Sequence, residues 1–510
     1  MTSSRRMGAL LGVVAAAAGL AVAELLSGIF HQRVSPVVAV AESIIRLTPG
    51  DVVEFVISLV GQYDKPLLVV FTLLGLAAVS AGVGVVAIRS TLGAQGLFVL
   101  MGVVVVLAVR ARLTPSMSTY IPAVLGVVVA MAALAVLAPR AAVAANRTTA
   151  TQPADTRRSS RRDFLRLTGV VAAAAVMVGV TGRVLAQGRA ALEAARGQLK
   201  LPIRRRPTPP GADLAVTGLA PWVTDQDDFY RIDTALSVPQ ILPGEWELRI
   251  HGLVDREMTL TYQDLIDRGL TEAWVTLCCV SNQVGGGLIS NASWSGVPIA
   301  DVLAEAGVHD DADAVLSTSA DDWTCGTPLS VLTDDRNALF AVAMNGEPLT
   351  AEHGFPVRMV VPGLYGYVSA TKWVVDFEVT RFADFTAFWT DRGWAAEGPI
   401  KTQSRIDVPG DGSSFAAGDV VVAGVAWAQH TGIAKVEVRI ADQPWVEASL
   451  ADEPTIDSWR QWSYVWPAQP GSQRIQVRAT DQSGETQTEA IADVLPDGAT
   501  GWHTITVDVG

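Results

Sequence analysis

The stretch WVTLCCVSNQVGGG, Trp274–Gly287, sets two cysteines side by side in a chain that has three. A thiolate binds soft or high-valent metal ions, so Cys278 or Cys279 is a candidate ligand. The pair is poorly placed to share one ion, because neighbouring side chains on an extended strand point to opposite faces. There is no CxxC and no second Cys–His cluster, which argues against zinc and iron–sulfur sites. The plain alternative is two buried apolar thiols, and spacing alone leaves both readings open. A vicinal Cys278–Cys279 disulfide is a further alternative if the segment lies outside the cell. A second stretch, Met344–Val374, carries His353, Arg358 and Lys372 among glycines and prolines. Three donors on a stiff, turn-rich path suit a polyanionic ligand. The plain alternative there is a surface loop with scattered charge.

These residues need a folded domain to position them. WELRIHGLV (Trp246–Val254) alternates as a strand does, TYQDLIDRG (Thr261–Gly269) reads as a helix capped by Thr261, and SGVPIADVLAEAG (Ser295–Gly307) has helical spacing ending at a glycine. Residues 215–400 are therefore expected to form an α+β domain. Residues 401–510 differ in texture. VVVAGVAWA, IAKVEVRI, WRQWSYVW and RIQVRATD are short alternating runs between turn residues, which predicts an all-β, immunoglobulin-like sandwich. It holds no His or Cys cluster, so its expected role is structural, with a homodimer through 401–510 as a candidate. Residues 191–214, Pro-rich and basic, read as a linker.

The charge is divided. Residues 1–200 carry 19 basic and 8 acidic side chains, whereas the other 310 residues carry 19 and 43. Such a split marks two environments, and the acidic half would repel nucleic-acid phosphates. Apolar runs at about 8–30, 66–88, 92–109, 119–138 and 167–186 are each near the length that crosses ~30 Å of hydrocarbon. Residues 1–150 thus read as a transmembrane helical region of four spans, and 151–190 as a fifth. Residues 38–60 carry Glu42, Arg46, Asp51 and Glu54 and read as an amphipathic or re-entrant helix. Arg5 and Arg6, and the arginines of 140–166, place both of those ends in the cytoplasm, although Arg110 and Arg112 fall on the opposite side. The fifth span then carries the remainder outward. Its start, SRRDFLRLTG (Ser160–Gly169), is similar to a twin-arginine export signal, an address used for proteins that take up a cofactor before export. The expectation is a multi-pass protein of the cell membrane with its catalytic domain on the extracytoplasmic side.

Taken together, the two chemical stretches resemble the molybdopterin domain of the sulfite oxidase family. The motif residues are Asn345-Gly346, His353-Gly354-Phe355-Pro356-Val357-Arg358, Pro362-Gly363, Gly366 and Lys372-Trp373, with Cys279-Val280-Ser281-Asn282 and Phe229-Tyr230-Arg231-Ile232-Asp233 upstream. The likeness covers about 215–510, including the C-terminal domain, and leaves the first 200 residues outside. It implies a molybdenum–molybdopterin cofactor and two-electron oxygen-atom transfer. By resemblance, Cys279 holds the metal, with Cys278 its bystander. Phe229, Tyr230, Arg231, Asp233, Asn282, Asp321, His353, Arg358, Thr371 and Lys372 surround the pterin and its phosphate, and Arg231 and Trp394 join Cys279 in the catalytic set. Cys325 is expected to be a buried neutral thiol.

Departures bear on the substrate. Gln283 stands where the family has a second arginine, Trp394 where it has a tyrosine, and Asp233 where it has a histidine. Two lost donors and an added carboxylate disfavour sulfite and leave an uncharged S-oxide or N-oxide as a competing substrate. Only His31 of the six histidines lies near a span, so a haem held between spans is not expected. Electrons are then exchanged with a separate partner, a cytochrome or a quinone. The competing non-enzymatic reading is an exported binding or assembly module that keeps the fold without metal.

Overall fold

In the computed structural model the described residues are 2–29, 35–48, 52, 64–111, 119–146, 165–178 and 189–510. They form two compact units, chiefly Met1–Glu193 and Ala194–Gly510.

The first unit is helical: α1 (Thr2–Ile29), α2 (Pro36–Leu47), α3 (Asp64–Ala87), α4 (Thr91–Arg110) and α5 (Tyr120–Asn146). Segments Ser4–Ile29, Leu67–Ala87, Thr91–Arg110 and Tyr120–Ala142 are long and apolar enough to cross a membrane. They meet through small residues. A Cβ on Gly12 would lie 1.8 Å from the Ser80 carbonyl oxygen, and one on Gly84 would lie 2.0 Å from that of Gly8. Only glycine permits such backbone approach, which is how helices associate where no water drives them together. Leu11, Ala15, Phe98, Leu134 and Leu137 fill the space between them. Of the expected amphipathic stretch 38–60, α2 is described, started by Ser35, whose side chain accepts from the Val38 amide. Of the expected fifth span, Leu165–Val178 is a shorter apolar helix, and 179–188 lie outside the described residues. The paired arginines Arg161 and Arg162 also lie outside them.

The second unit begins with the end of helix Arg189–Gln198 and the expected linker. That segment is laid against the domain: Arg196 donates to the Pro348 carbonyl at 3.1 Å and to Gln226 at 3.0 Å, and the Leu214 amide donates to Gln461 at 2.7 Å. Ten strands follow: β1 (Glu247–Gly252), β2 (Met258–Thr261), β3 (Thr271–Cys278), β4 (Ile289–Pro298), β5 (Ala314–Ser319), β6 (Thr324–Pro328), β7 (Leu339–Met344), β8 (Glu347–Pro348), β9 (Arg358–Val360) and β10 (Val374–Thr380). One sheet has the order β2-β1-β10-β5-β6, the other β3-β4-β7-β8 with β9 also on β7. Buried Trp246, Trp294, Trp373, Phe340, Phe355 and Phe377 pack the interior. Thr261 caps Tyr262–Asp267 in a reciprocal box with Asp264, as its sequence predicts. The helix expected over 295–307 starts only at Ile299, because Ser295–Pro298 extend β4, and it ends on Gly307 at φ 71°.

Two further sheets make the C-terminal sandwich from β11 (Gln403–Val408), β12 (Ser414–Phe415), β13 (Gly418–Trp427), β14 (Ile433–Ile440), β15 (Val446–Glu447), β16 (Ser449–Leu450), β17 (Arg460–Ala468), β18 (Gly471–Asp481) and β19 (His503–Val509). The orders are β11-β13-β17-β16 and β12-β19-β18-β14-β15. The inward residues of both, among them Val422, Trp462, Val436, Ile475 and Val507, form one core. Alternation at period two is what gives each strand this single buried face.

Candidate active site

β3 is buried along most of its length and delivers the two cysteines to the start of a loop that returns as β4 at Ile289. The loop is pinned from within. The Cys279 amide donates to the Leu288 carbonyl at 3.0 Å, the Asn282 amide to the Cys279 carbonyl at 3.0 Å, and Asn282 Oδ1 accepts from the Leu288 amide at 2.8 Å. Asn282 therefore shapes the loop and does not line the cavity beside it. Cys279 does line that cavity, whereas Cys278 does not. All three cysteines are free thiols, so the two neighbours are not joined as a disulfide. Burial pushes the Cys279 thiol up, partly offset by hydrogen bonds at Ser281 and by the Lys372 charge. Burial, then the neighbouring Cys279, pushes Cys278 well up. Cys325 is raised to about 11 by burial, as expected of an inert buried thiol.

The cationic side of the cavity comes from the start of β9 and the turn before β10. Arg358 is buried, its Nη1 donates to the His353 carbonyl at 3.3 Å, and its guanidinium lies 5.1 Å from the Trp294 ring centre. Burial lowers it to about 10. Lys372 is lowered to about 8 by burial, partly countered by Asp233. Its Nζ donates to Asp233 at 3.0 Å and to the Glu352 carbonyl at 3.1 Å. Between them Gly354 sits at φ 104°, where a Cβ would come within 3.0 Å of Arg358 and 3.1 Å of Lys372. A side chain there would be strained and would wedge the two cations apart.

Asp233 also accepts from Arg231 Nε at 2.8 Å, so one buried carboxylate binds two cations. Arg231 stays outside, with 41% of its side chain exposed, and does not line the cavity. His353 lies behind it. Its Nε2 pairs with the Gln226 carbonyl at 3.0 Å, and burial, then Arg358 and Lys372, push it down to about 3. A neutral imidazole thus sits beneath two cations. Thr371 is turned into the core against Ser317 Oγ at 2.7 Å. Phe229 stacks on Tyr230 with centres 5.5 Å apart, and burial, then the cysteines, raise the Tyr230 phenol well above its usual value. Asp321 lines the cavity, accepts from Ser319 Oγ, and is raised by burial and by Asp233.

Of the residues expected at the site, Phe229, Tyr230, Asp233, Cys279, Asp321, Arg358, Lys372 and Trp394 line one cavity. Arg231, Asn282, His353 and Thr371 stand outside or behind it. Sequence reasoning missed Trp323, Tyr367 and Trp389, which add aromatic surface to the wall. Tyr367 lies inside the Gly-rich motif, and Trp389 two residues before Asp391 in the stretch leading to Trp394, so their proximity in sequence was the available signal. Trp394 packs 5.8 Å from Tyr367 and 6.2 Å from Trp389, centre to centre. Its buried Nε1 has no hydrogen-bond partner among the described residues.

A thiol and two buried cations around a glycine cradle are the donor set for a metal held beside a bound phosphate. Comparison with known proteins agrees. Residues 235–389 match the oxidoreductase molybdopterin binding domain. An uncharacterized oxidoreductase of Bacillus subtilis, YuiH, is 36% identical over 154 residues, spanning 30% of this chain and 74% of that protein. Mitochondrial sulfite oxidase is 29% identical over 327 residues in Rattus norvegicus and 28% over 308 residues in Homo sapiens. The rat match covers 54% of this chain and 59% of the enzyme, so the chain spans less than two thirds of that relative's length. The fold of the sulfane dehydrogenase SoxCD from Paracoccus pantotrophus superposes with a TM-score of 0.50 at 22% identity, over 56% of this chain and 81% of that one. The chain belongs to the sulfite oxidase family of molybdopterin oxidoreductases. It is an oxidoreductase whose cofactor is molybdenum–molybdopterin, and the reading of its C-terminal half as a non-catalytic module gives way to that.

Proposed function

We propose that Cys279 is the protein ligand to molybdenum in a membrane-tethered enzyme that transfers an oxygen atom to or from a small molecule. The observation that carries this reading is that Cys279, Arg358 and Lys372 face one cavity while Cys278 does not. When bound, the cofactor supplies two-electron redox chemistry coupled to oxygen-atom transfer. Arg358 and Lys372 hold the pterin phosphate, and Asp233 keeps the Lys372 amine in place. Cys279 gives up its proton on metal binding, as every thiolate ligand must. Tyr230 stays protonated across the working range and is available as a hydrogen-bond donor.

An uncharged S-oxide or N-oxide suits the cavity better than sulfite. Of the cations in and around it, Lys372 and Arg231 are paired with Asp233, Arg358 is assigned to the phosphate, and Asp321 adds a second carboxylate. Trp323, Trp389 and Trp394 supply an apolar wall instead. Reduction of such an oxide consumes two electrons and two protons and releases water. The electrons come from a separate cytochrome or quinone. The four apolar helices are read as membrane spans, with the apolar run 167–186 as a fifth that carries the second unit to the extracytoplasmic side, and the two-sheet sandwich as an immunoglobulin-like domain that can pair two copies.

The deciding experiment is molybdenum and pterin content in wild type, Cys279→Ser and Cys278→Ser made in a host that supplies the cofactor. About one metal in wild type and Cys278→Ser, with a thiolate-to-metal absorption band missing from Cys279→Ser, is expected. Metal and band retained in Cys279→Ser would sink the ligand assignment. Dye-linked assays with sulfite as donor and with S- and N-oxides as acceptors then fix the direction.

A further inference from the structure

The C-terminal sandwich reaches back to the loop that presents Cys279. Arg405 on β11 donates from Nη1 to the Gly286 carbonyl at 2.9 Å. Its other nitrogens pair with Asp407, and only 11% of the Arg405 side chain and 10% of Asp407 are exposed. Asp407 in turn accepts from the Ala220 amide at 3.1 Å. The His503 ring lies against Gly285 so closely that a Cβ there would meet it at 2.2 Å, and Gly285 is at φ 77°. His503 is itself held by the Ile406 amide, which donates to Nδ1 at 2.9 Å. At the loop's outer side Gln283 donates to Asp493 at 3.0 Å. The strand before the loop is gripped too: Thr276 donates its amide to the Asp457 carbonyl at 2.9 Å, and its own carbonyl accepts from Gln429 at 3.1 Å.

The contacts of Arg405, His503 and Asp493 converge on residues 283–286 of the loop. The N-terminal part is tied internally through Asn282 and Leu288. A buried Arg–Asp pair two residues apart on one strand is weak evidence of stabilisation, because desolvation offsets the attraction. What Arg405 adds is direction: its Nη1 ends on the Gly286 carbonyl, two residues before Leu288, whose own carbonyl accepts from the Cys279 amide. Groups behind a metal ligand set its orientation, and their loss costs about 10–100-fold in metal affinity or activity.

We propose that Arg405, with His503 and Gln283–Asp493, positions Cys279, so that the sandwich is part of the machinery that sets the metal's environment. This rests on the reading of Cys279 as the molybdenum ligand. The test compares full-length wild type with Arg405→Met, Arg405→Lys, Gln283→Ala and, as a control, Gln461→Met. Gln461 bonds the Leu214 amide and the Ala220 carbonyl without touching the loop. Expected in Arg405→Met is a moved thiolate-to-metal band, metal retention or kcat lowered roughly 10–100-fold with KM within about threefold, and partial recovery in Arg405→Lys. Gln283→Ala should move the band in the same sense by less. Gln461→Met should lower the thermal midpoint and leave the band in place. If Arg405→Met and Gln283→Ala keep the wild-type band, metal content and kcat, the positioning role is overturned. If Arg405→Met does not fold, Gln283→Ala, which is exposed, decides alone. A wild type without molybdenum would instead bring down the ligand assignment and this inference with it.

Discussion

Each side chain at the site has a separable effect. Arg358 is buried beside the cavity and donates to the Met359 and His353 carbonyls, so Arg358→Gln removes a charge-assisted bond of about 1.5–3 kcal/mol. Pterin retention should fall roughly ten- to hundredfold after gel filtration, with little change in thermal midpoint. Lys372 brings a pH dependence. Its amine, pushed down to about 8 by burial, is charged below that value and neutral above it. Only the charged form attracts phosphate, so cofactor uptake by the cofactor-free protein should weaken as pH rises through about 8, and Lys372→Arg should abolish that step. Asp233 decides between substrates. Asp233→Asn leaves a hydrogen-bond acceptor but releases the charge on Lys372 and Arg231. Its sulfite KM should fall several-fold while an S-oxide KM stays level, and the opposite pattern would remove the argument against sulfite.

Elements show where local pattern and packing meet. The approach of α1 to α3 depends on Gly12 and Gly84, and a leucine at Gly12 would press on the Ser80 carbonyl. Overpacking of this kind costs about 1–3 kcal/mol. Gly12→Leu should therefore lower the detergent-solubilised unfolding midpoint of the helical unit. In the sandwich, Asp481 ends β18 and accepts from Thr402, Ser483 and the Glu485 amide. Burial pushes its carboxyl up, but those bonds together hold it below the ordinary value. Its stabilisation is complete above the unfolded value of about 3.9 and is lost as pH falls through the lower folded value. Asp481→Asn should flatten the acid limb of the stability curve, measured by unfolding between about pH 2 and 6.

Along the whole chain, a unit of long apolar helices is followed by a strand-rich one. Its charge is divided accordingly, basic in the first 200 residues and acidic after them. Four apolar helices should keep the protein in the pellet through carbonate extraction, and release into the supernatant would count against membrane spans. The acidic second unit carries the family's cofactor site, and its two domains are joined by more than a tether. Trp222 and Trp459 exchange indole bonds to each other's carbonyls at 3.1 and 2.9 Å, closing the sandwich onto the catalytic domain.

Much of the site follows from short runs of sequence. His353-Gly354, Arg358 and Lys372-Trp373 stand within 21 residues, and turns rich in glycine and proline leave such a run few ways to fold. Span lengths and strand alternation are likewise local, since they reflect one residue's neighbours along a helix or strand. Other features belong to contacts between distant parts of the chain. Which cysteine faces the cavity depends on how β3 docks, and two adjacent thiols are chemically alike until one face is covered. Thr371 stands in the same motif as Lys372 yet turns to Ser317 in the core. Asp233 meets Lys372 across 139 positions, and Arg405 meets Gly286 across 119. No periodicity encodes such pairings. They arise when sheets, loop and sandwich pack together and bring their buried charges to the same place.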